Sequence, residues 1–314
     1  MTGNGFTPIL TFMFINHVHL MPSELRADAT IEHFLATIPP VAAEFGRALE
    51  GAVCFAPFSY QFANARRTDN PNTWLHEIIA AHSSPRLMLV GYGTLDPSRP
   101  AAPQVAHLAS LGFRGIKLHP PAQKFSIFGD WAREAYAAME EHGLVADFHI
   151  GMHWYRLKDY DPLLCDEIAW HHPRLRMVFE HVGGWHYYRQ VLAVITNNTR
   201  RGNHLYAGIA SVLDRENQRY WWLGPDGLND CHWQIGPDLL IHGLDFPYNQ
   251  AAQLRNDLTQ ITALSWPAAD TAALLGGNLK RLLGLASSAA DPSAFTAAPR
   301  IVGGDPPPST PAPA

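Results

Sequence analysis

Short apolar runs recur along the chain, and the stretches between them carry helical periodicity. Eight runs read as strands: residues 9–16 (ILTFMFIN), 52–56 (AVCFA), 86–92 (RLMLVGY), 113–118 (FRGIKL), 144–150 (LVADFHI), 175–180 (LRMVFE), 204–209 (HLYAGI) and 238–244 (DLLIHGL). Segments such as 130–142 (DWAREAYAAMEEH) and 104–111 space their apolar residues by three and four, the signature of a helix with one buried face. Strands alternating with helices predict a parallel sheet. Eight such units in about 280 residues fit a closed barrel better than an open doubly wound sheet, and no GxGxxG follows the first strand. The reading is an α/β chain forming one distorted (β/α)8 barrel over residues 1–285. Residues 286–314 are rich in Ala, Pro and Ser and end DPPPSTPAPA. They offer little to bury and are expected to lie outside the core, extended or disordered. Residues 215–236 read as a long irregular loop carrying Tyr220, Trp221, Trp222 and Trp233. On a barrel this loop lies at the active-site rim, as a pocket wall or lid; the other reading is a packed excursion whose aromatics are core.

Composition narrows the functional classes. The chain has 314 residues, a hydrophobic fraction of 47% and a formal net charge of −5. No basic face is implied, so nucleic acid is not an expected partner. No apolar run reaches the ~18 residues of a membrane span. The start, MTGNGFTPIL, lacks a basic segment followed by a long apolar one, so it does not read as a signal peptide. Cys54, Cys165 and Cys231 lie far apart without a CxxC, which suggests a reducing, cytoplasmic compartment. The expected partner is a small-molecule substrate, and a homodimer is compatible with this reading. Histidine is abundant, at 17 residues.

Those histidines concentrate where a barrel keeps its chemistry, at the C-terminal ends of strands. Strand one ends His17-Val18-His19, strand four runs into Lys117-Leu118-His119, strand five carries His149, strand six is followed by His181, and strand eight by Asp245. Side chains alternate faces along a strand. His17 therefore shares a face with His19, Lys117 with His119, His149 with Asp147, and Asp245 with Gly243 and Ile241. His242 falls on the opposite face and is excluded. A lone HxH is commonly packed core, but the whole set on one rim reads as a metal site. Imidazoles with a carboxylate suit Zn, Fe, Mn or Ni rather than a calcium cage. Three or four protein ligands and one open position make a Lewis acid that activates water.

The ordered stretches HVH at 17–19, GFRGIKLHP at 112–120, FHIG at 148–151, EHVGG at 180–184, HGLDFPY at 242–248 and LGGNLKRLLGL at 275–285 resemble the amidohydrolase superfamily. The resemblance is to its amidohydrolase-2 branch, which includes aminocarboxymuconate-semialdehyde decarboxylase-like enzymes. It covers almost all of the chain up to the tail. It implies one divalent metal ion, most often Zn2+, with Mn2+, Fe2+ and Ni2+ as alternatives. The implied ligands are His17, His19, His149 and Asp245, with His181 as the base and Asp245 as a second candidate for taking the proton. Two positions depart from the pattern: Asn16 stands where an acid is more usual, and Leu244 precedes Asp245 where a serine often does. Some branches carboxylate the strand-four lysine to bridge two metals. Lys117 has two other readings, an ion pair with Asp147 and a contact to an anionic substrate group.

The resemblance implies two reaction classes. One is hydrolysis of an ester, lactone or amide, the commoner outcome on this scaffold. The other is non-oxidative decarboxylation of an aromatic or diene carboxylate. A binding protein without activity would require a missing ligand, and every position is filled. Lys117, His119, Trp185 and Arg156 are weak candidates for substrate contacts, with Arg66 and Arg67 on further loops. Trp185 to Tyr188 suggest a ring-containing substrate.

Overall fold

A computed structural model describes residues 11–285. Eight parallel strands, β1 (Thr11–His19), β2 (Arg47–Phe55), β3 (Met88–Gly93), β4 (Gly115–Leu118), β5 (Val145–His149), β6 (Arg176–Glu180), β7 (Leu205–Ile209) and β8 (Leu240–Phe246), close in sequence order into a barrel. Each strand is followed by a helix of the outer ring: Ile31–Glu44, Pro71–His82, Ala101–Ser110, Asp130–His142, Leu163–His171, Gly184–Thr199, Gly224–Ile235 and Ala251–Ala263. This is the expected (β/α)8 barrel, a single domain. The expectation for residues 286–314 and the first two residues of the predicted first strand lie outside the described residues. Among those described, no helix is long and apolar enough to cross a membrane.

Strand alternation sorts the core into two clusters. Outward side chains such as Met13, Ile15, Cys54, Ile116, Ala146, Phe148, Met177 and Phe179 pack under the helices. Inward side chains, Phe14, Val53, Phe55, Val90, Tyr92, Val145, Val178, Tyr206 and Ile241, fill the barrel, and Leu279, Leu282 and Leu283 plug its N-terminal mouth. Above this apolar filling the inward positions turn polar. Asn16, Lys117, Asp147 and Glu180 are all buried there, beneath the rim.

Two expectations change. Strict alternation places His17 with Met13 and Ile15, which face outward. A β-bulge intervenes: Ile15 pairs with Ala52 but Val18 pairs with Cys54, so Asn16 and His17 together oppose one residue of β2. The extra residue lets His17 point inward beside Asn16. Residues 215–236 are also not wholly irregular. Gly224 in the left-handed region and Pro225 start a helix, and Leu228, Cys231 and Ile235 form its buried stripe. Trp233 on that helix is 82% exposed. Tyr220 packs against Trp154 and Trp222 stacks on Trp185, whereas Trp221 alone of the four reaches the central cavity.

Candidate metal centre

The strand ends deliver a tight set of donors. His17 Nε2 lies 3.1 Å from His19 Nε2 and 3.2 Å from Asp245 Oδ1, and His19 Nε2 lies 3.6 Å from the same oxygen. Bonds of ~2.1 Å to a tetrahedral ion would set donors ~3.4 Å apart, so this triangle has the size of a coordination face. Behind it, Glu180 Oε2 stands 2.9 Å from His17 Nδ1, off the line of a well-formed hydrogen bond but close enough to pair with it. A carboxylate behind a ligating imidazole orients the ring and raises its basicity.

Charge gives an independent test. Asp147, Glu180, Asp245 and Lys117 are all buried, and Lys117 Nζ sits 2.9 Å from Asp147 Oδ1. Three buried carboxyl groups stand against one buried amine, an excess of acidic groups that a divalent cation would offset. The local pKa values carry the same sign. Burial and Lys117 draw His17 down, yet Glu180 and Asp245 overcome both and lift it to about 9. Burial and the Glu180 charge hold Asp147 up at about 7 against the pull of Lys117. Asp245, despite its burial, is kept well below the usual carboxylate range by His17, His181 and His19. The donors present therefore fit a divalent transition metal in number, chemistry and charge.

Backbone strain marks the same residues. His17, His181, Ser211 and Asp245 have φ of 64°, 61°, 61° and 61°, a left-handed conformation that costs a non-glycine residue ~1–2 kcal/mol. Such residues cluster where a side chain must be aimed against the run of its strand. For His181 the turn is Val182-Gly183-Gly184, all at positive φ. His181 Nδ1 lies 2.9 Å from the Ala210 carbonyl. The proton must sit on Nδ1 to donate to that oxygen, which leaves Nε2 with a free lone pair. Burial pushes His181 down to about 4. It stacks on Trp221 at 4.8 Å and 14°.

His149 stands differently from the other implied ligands. Donor atoms of His17, His181 and Asp245 lie within 4.8 Å of one another, as do those of a second group, His119, His149 and His153. His149 stacks face to face on His119 at 4.0 Å and 5°, and approaches His181 at 4.7 Å. Its Nε2 is buried without a hydrogen-bond partner. Parallel stacked imidazoles do not direct their lone pairs at a common ion, so the second group reads as a platform that fixes the His149 ring plane.

A cavity of about 400 Å³ opens above these residues. Phe58, Tyr60, Tyr155, Trp221 and Tyr248 give it aromatic walls, Lys117 and His119 line it, and among the described residues no arginine does. Trp185 lies elsewhere, 56% exposed and stacked on Trp222 in a shallow groove with Arg215 and Arg219. Arg156 is tied to Asp159 at 3.0 Å, and Arg67 to Glu24 and Asp69. None of the three lines the cavity, because each finds a local surface partner. The excluded His242 faces outward, 3.5 Å from Asp257.

Sequence reasoning missed Glu180, Ser211, His153 and Asn249. Glu180 had a signal: it shares parity with inward Val178, and Gly208 stands on the adjacent strand. A Cβ on Gly208 would lie 2.4 Å from Glu180 Oε2, so glycine makes room for the carboxylate. Gly208→Ala is therefore expected to destabilise the protein by ~1–3 kcal/mol and to weaken metal binding by displacing the group behind His17. Thermal melts with and without metal check this; an unchanged melt would show that Glu180 moves freely. The departure at Asn16 also has a physical account. Its amide donates to Glu180 Oε1 at 2.5 Å and Asp147 Oδ2 at 3.3 Å, where an acid would set another carboxylate against those two.

A family model for amidohydrolases, of the amidohydrolase-2 type, matches residues 17–285. The fold is similar to 5-carboxyvanillate decarboxylase from Sphingomonas paucimobilis, with TM-score 0.60, 15% identity, and 88% of this chain and 100% of that one covered. It is similar to a putative 2-pyrone-4,6-dicarboxylic acid hydrolase from Pseudomonas putida, with TM-score 0.61, 19% identity, and 88% and 98% covered. It is also similar to a dihydroxybenzoic acid decarboxylase from Polaromonas sp. JS666 with bound manganese, with TM-score 0.59, 15% identity, and 88% and 97% covered. No curated protein matches the chain.

Proposed function

The chain belongs to the amidohydrolase family, whose members include metal-dependent hydrolases and decarboxylases, and from that premise we propose that it hydrolyses an ester, lactone or amide of a small ring-containing substrate. His17, His19 and Asp245 would hold one divalent ion, with His149 as the fourth ligand. When bound, that ion supplies Lewis acidity at the cavity floor. His181 presents a neutral Nε2 beside the donor set and accepts the proton of the attacking water. The Asp245 carboxylate stabilises the positive charge that this places on His181. The aromatic walls take the ring.

One observation carries the choice of hydrolysis. Among the described residues beside the donor set, His181 is oriented as a base: its Nδ1–H is committed to the Ala210 carbonyl and its Nε2 lone pair is free. Burial keeps that imidazole neutral, pushed down to about 4, so it meets a water as an acceptor of protons and not as a donor. Hydrolysis needs a base for water, whereas decarboxylation needs an acid to protonate carbon. The test is an assay of metal-loaded protein against ring-bearing esters, lactones and amides for acid release, and against aromatic carboxylates for CO2 release. Acid release without CO2 is expected. CO2 release from a carboxylate, with no hydrolysis, would overturn the reading in favour of decarboxylation.

A further inference from the structure

The second oxygen of Asp245 is held by a hydrogen-bond chain whose direction can be read from the backbone. Gln218 Oε1 accepts the Asp214 backbone N–H at 3.0 Å, so the other end of its side chain is the NH2 group. Gln218 Nε2 donates to Asn249 Oδ1 at 2.7 Å, which fixes the Asn249 amide in turn. Asn249 Nδ2 then donates to Ser211 Oγ at 2.8 Å and to the Leu244 carbonyl at 2.7 Å. With its oxygen already accepting, the Ser211 hydroxyl donates to Asp245 Oδ2, at 2.9 Å. Every proton in the chain points one way, and the last points at a carboxylate.

Ser211, Asn249 and Asp245 are all at most 5% exposed. Leu244, directly before Asp245, faces the outer core, so the hydroxyl comes instead from the residues following β7. Ser211 sits at φ 61°, a conformation it holds at a cost.

We propose that Ser211, oriented by Asn249, is a positioning residue that ties up Asp245 Oδ2 and leaves Oδ1 alone to face the metal, making Asp245 a one-oxygen ligand. The inference rests on the metal-centre reading above. The Ser211 hydrogen bond holds the carboxylate in one rotation, with Oδ1 turned toward His17 and His19. Groups that orient a metal ligand typically contribute ~10–100-fold to metal affinity.

The left-handed φ gives a discriminating variant. Glycine adopts that conformation freely, so Ser211→Gly removes the hydroxyl while relieving the backbone. Zinc affinity is measured on metal-stripped protein by competition with a chromophoric chelator, and the melting temperature of the metal-free protein is measured in parallel. Ser211→Gly is expected to melt no lower than the parent and to bind zinc ~10–100-fold more weakly. Ser211→Ala, with the strain retained, should show the same loss of affinity, and so should Asn249→Ala. The double variant Ser211→Gly/Asn249→Ala should lose little more than either alone, since both act through one bond. A Ser211→Gly protein within twofold of the parent affinity would overturn the role of Ser211. A parent protein that takes up no zinc would instead overturn the metal reading beneath it.

Discussion

Replacing His181 with alanine is expected to lower turnover by ~10²–10⁴-fold, the usual contribution of a general base, while the protein keeps its metal. The expectation follows from the ring's two ends. Nδ1 is committed to the Ala210 carbonyl, and burial keeps the imidazole neutral, so Nε2 is a base with a fixed direction. The stack on Trp221 fixes the ring plane. The alternative is specific. The donor atoms of His181 lie within 4.8 Å of those of His17 and Asp245, near enough for His181 itself to ligate. Activity and metal content measured on one preparation separate the two. Loss of activity with metal retained supports the base; loss of both together makes His181 a ligand and leaves His149 outside the coordination.

The second large effect is expected at Asp245. Asp245→Asn preserves shape but removes one of the three buried carboxyl groups whose excess over the buried amine attracts the cation. Metal affinity should fall by more than the ~10–100-fold that a supporting residue contributes, and activity should fall with it. Chelator competition and a turnover assay check this. A variant that retains both metal and turnover would show that His17 and His19 suffice and that the charge argument is mistaken.

The barrel was legible because its signals are local. Eight apolar runs with helical spacers specify a parallel, closed architecture whatever the details of packing. The rim was legible for a related reason: barrel strands end on one face, so His19, His149, His181 and Asp245 could be placed there without knowing a single contact. What stayed hidden depends on departures from regular geometry or on long-range contacts. The bulge at Asn16-His17 reverses the face of His17 relative to plain alternation, and nothing in FINHVH announces it. Ser211 and Asn249 meet across 38 positions, each in the loop after its strand, which no periodicity reports. Trp185 and Arg156 read as pocket residues because they closely follow rim strands, but closeness in sequence fixes only the neighbourhood, and Trp185 lies in the first turn of the helix Gly184–Thr199. Each found a surface partner, Trp222 and Asp159, that sequence spacing does not weigh. Lys117 was legible through its neighbour: parity put Asp147 on the same inward face of the adjacent strand, and the two are 2.9 Å apart.

That ion pair bears on the number of metals. Carboxylation of Lys117 requires a free amine, whereas this one is buried, 2.9 Å from Asp147 Oδ1 and 4.8 Å over the Phe55 ring. The central claim is thus a single divalent ion bound by the donors at the ends of β1, β5 and β8. Metal analysis of purified, extensively dialysed protein tests it most directly. The account predicts one equivalent of a divalent transition metal per chain. No metal in a fully active protein, or two equivalents with a carboxylated Lys117, would contradict it.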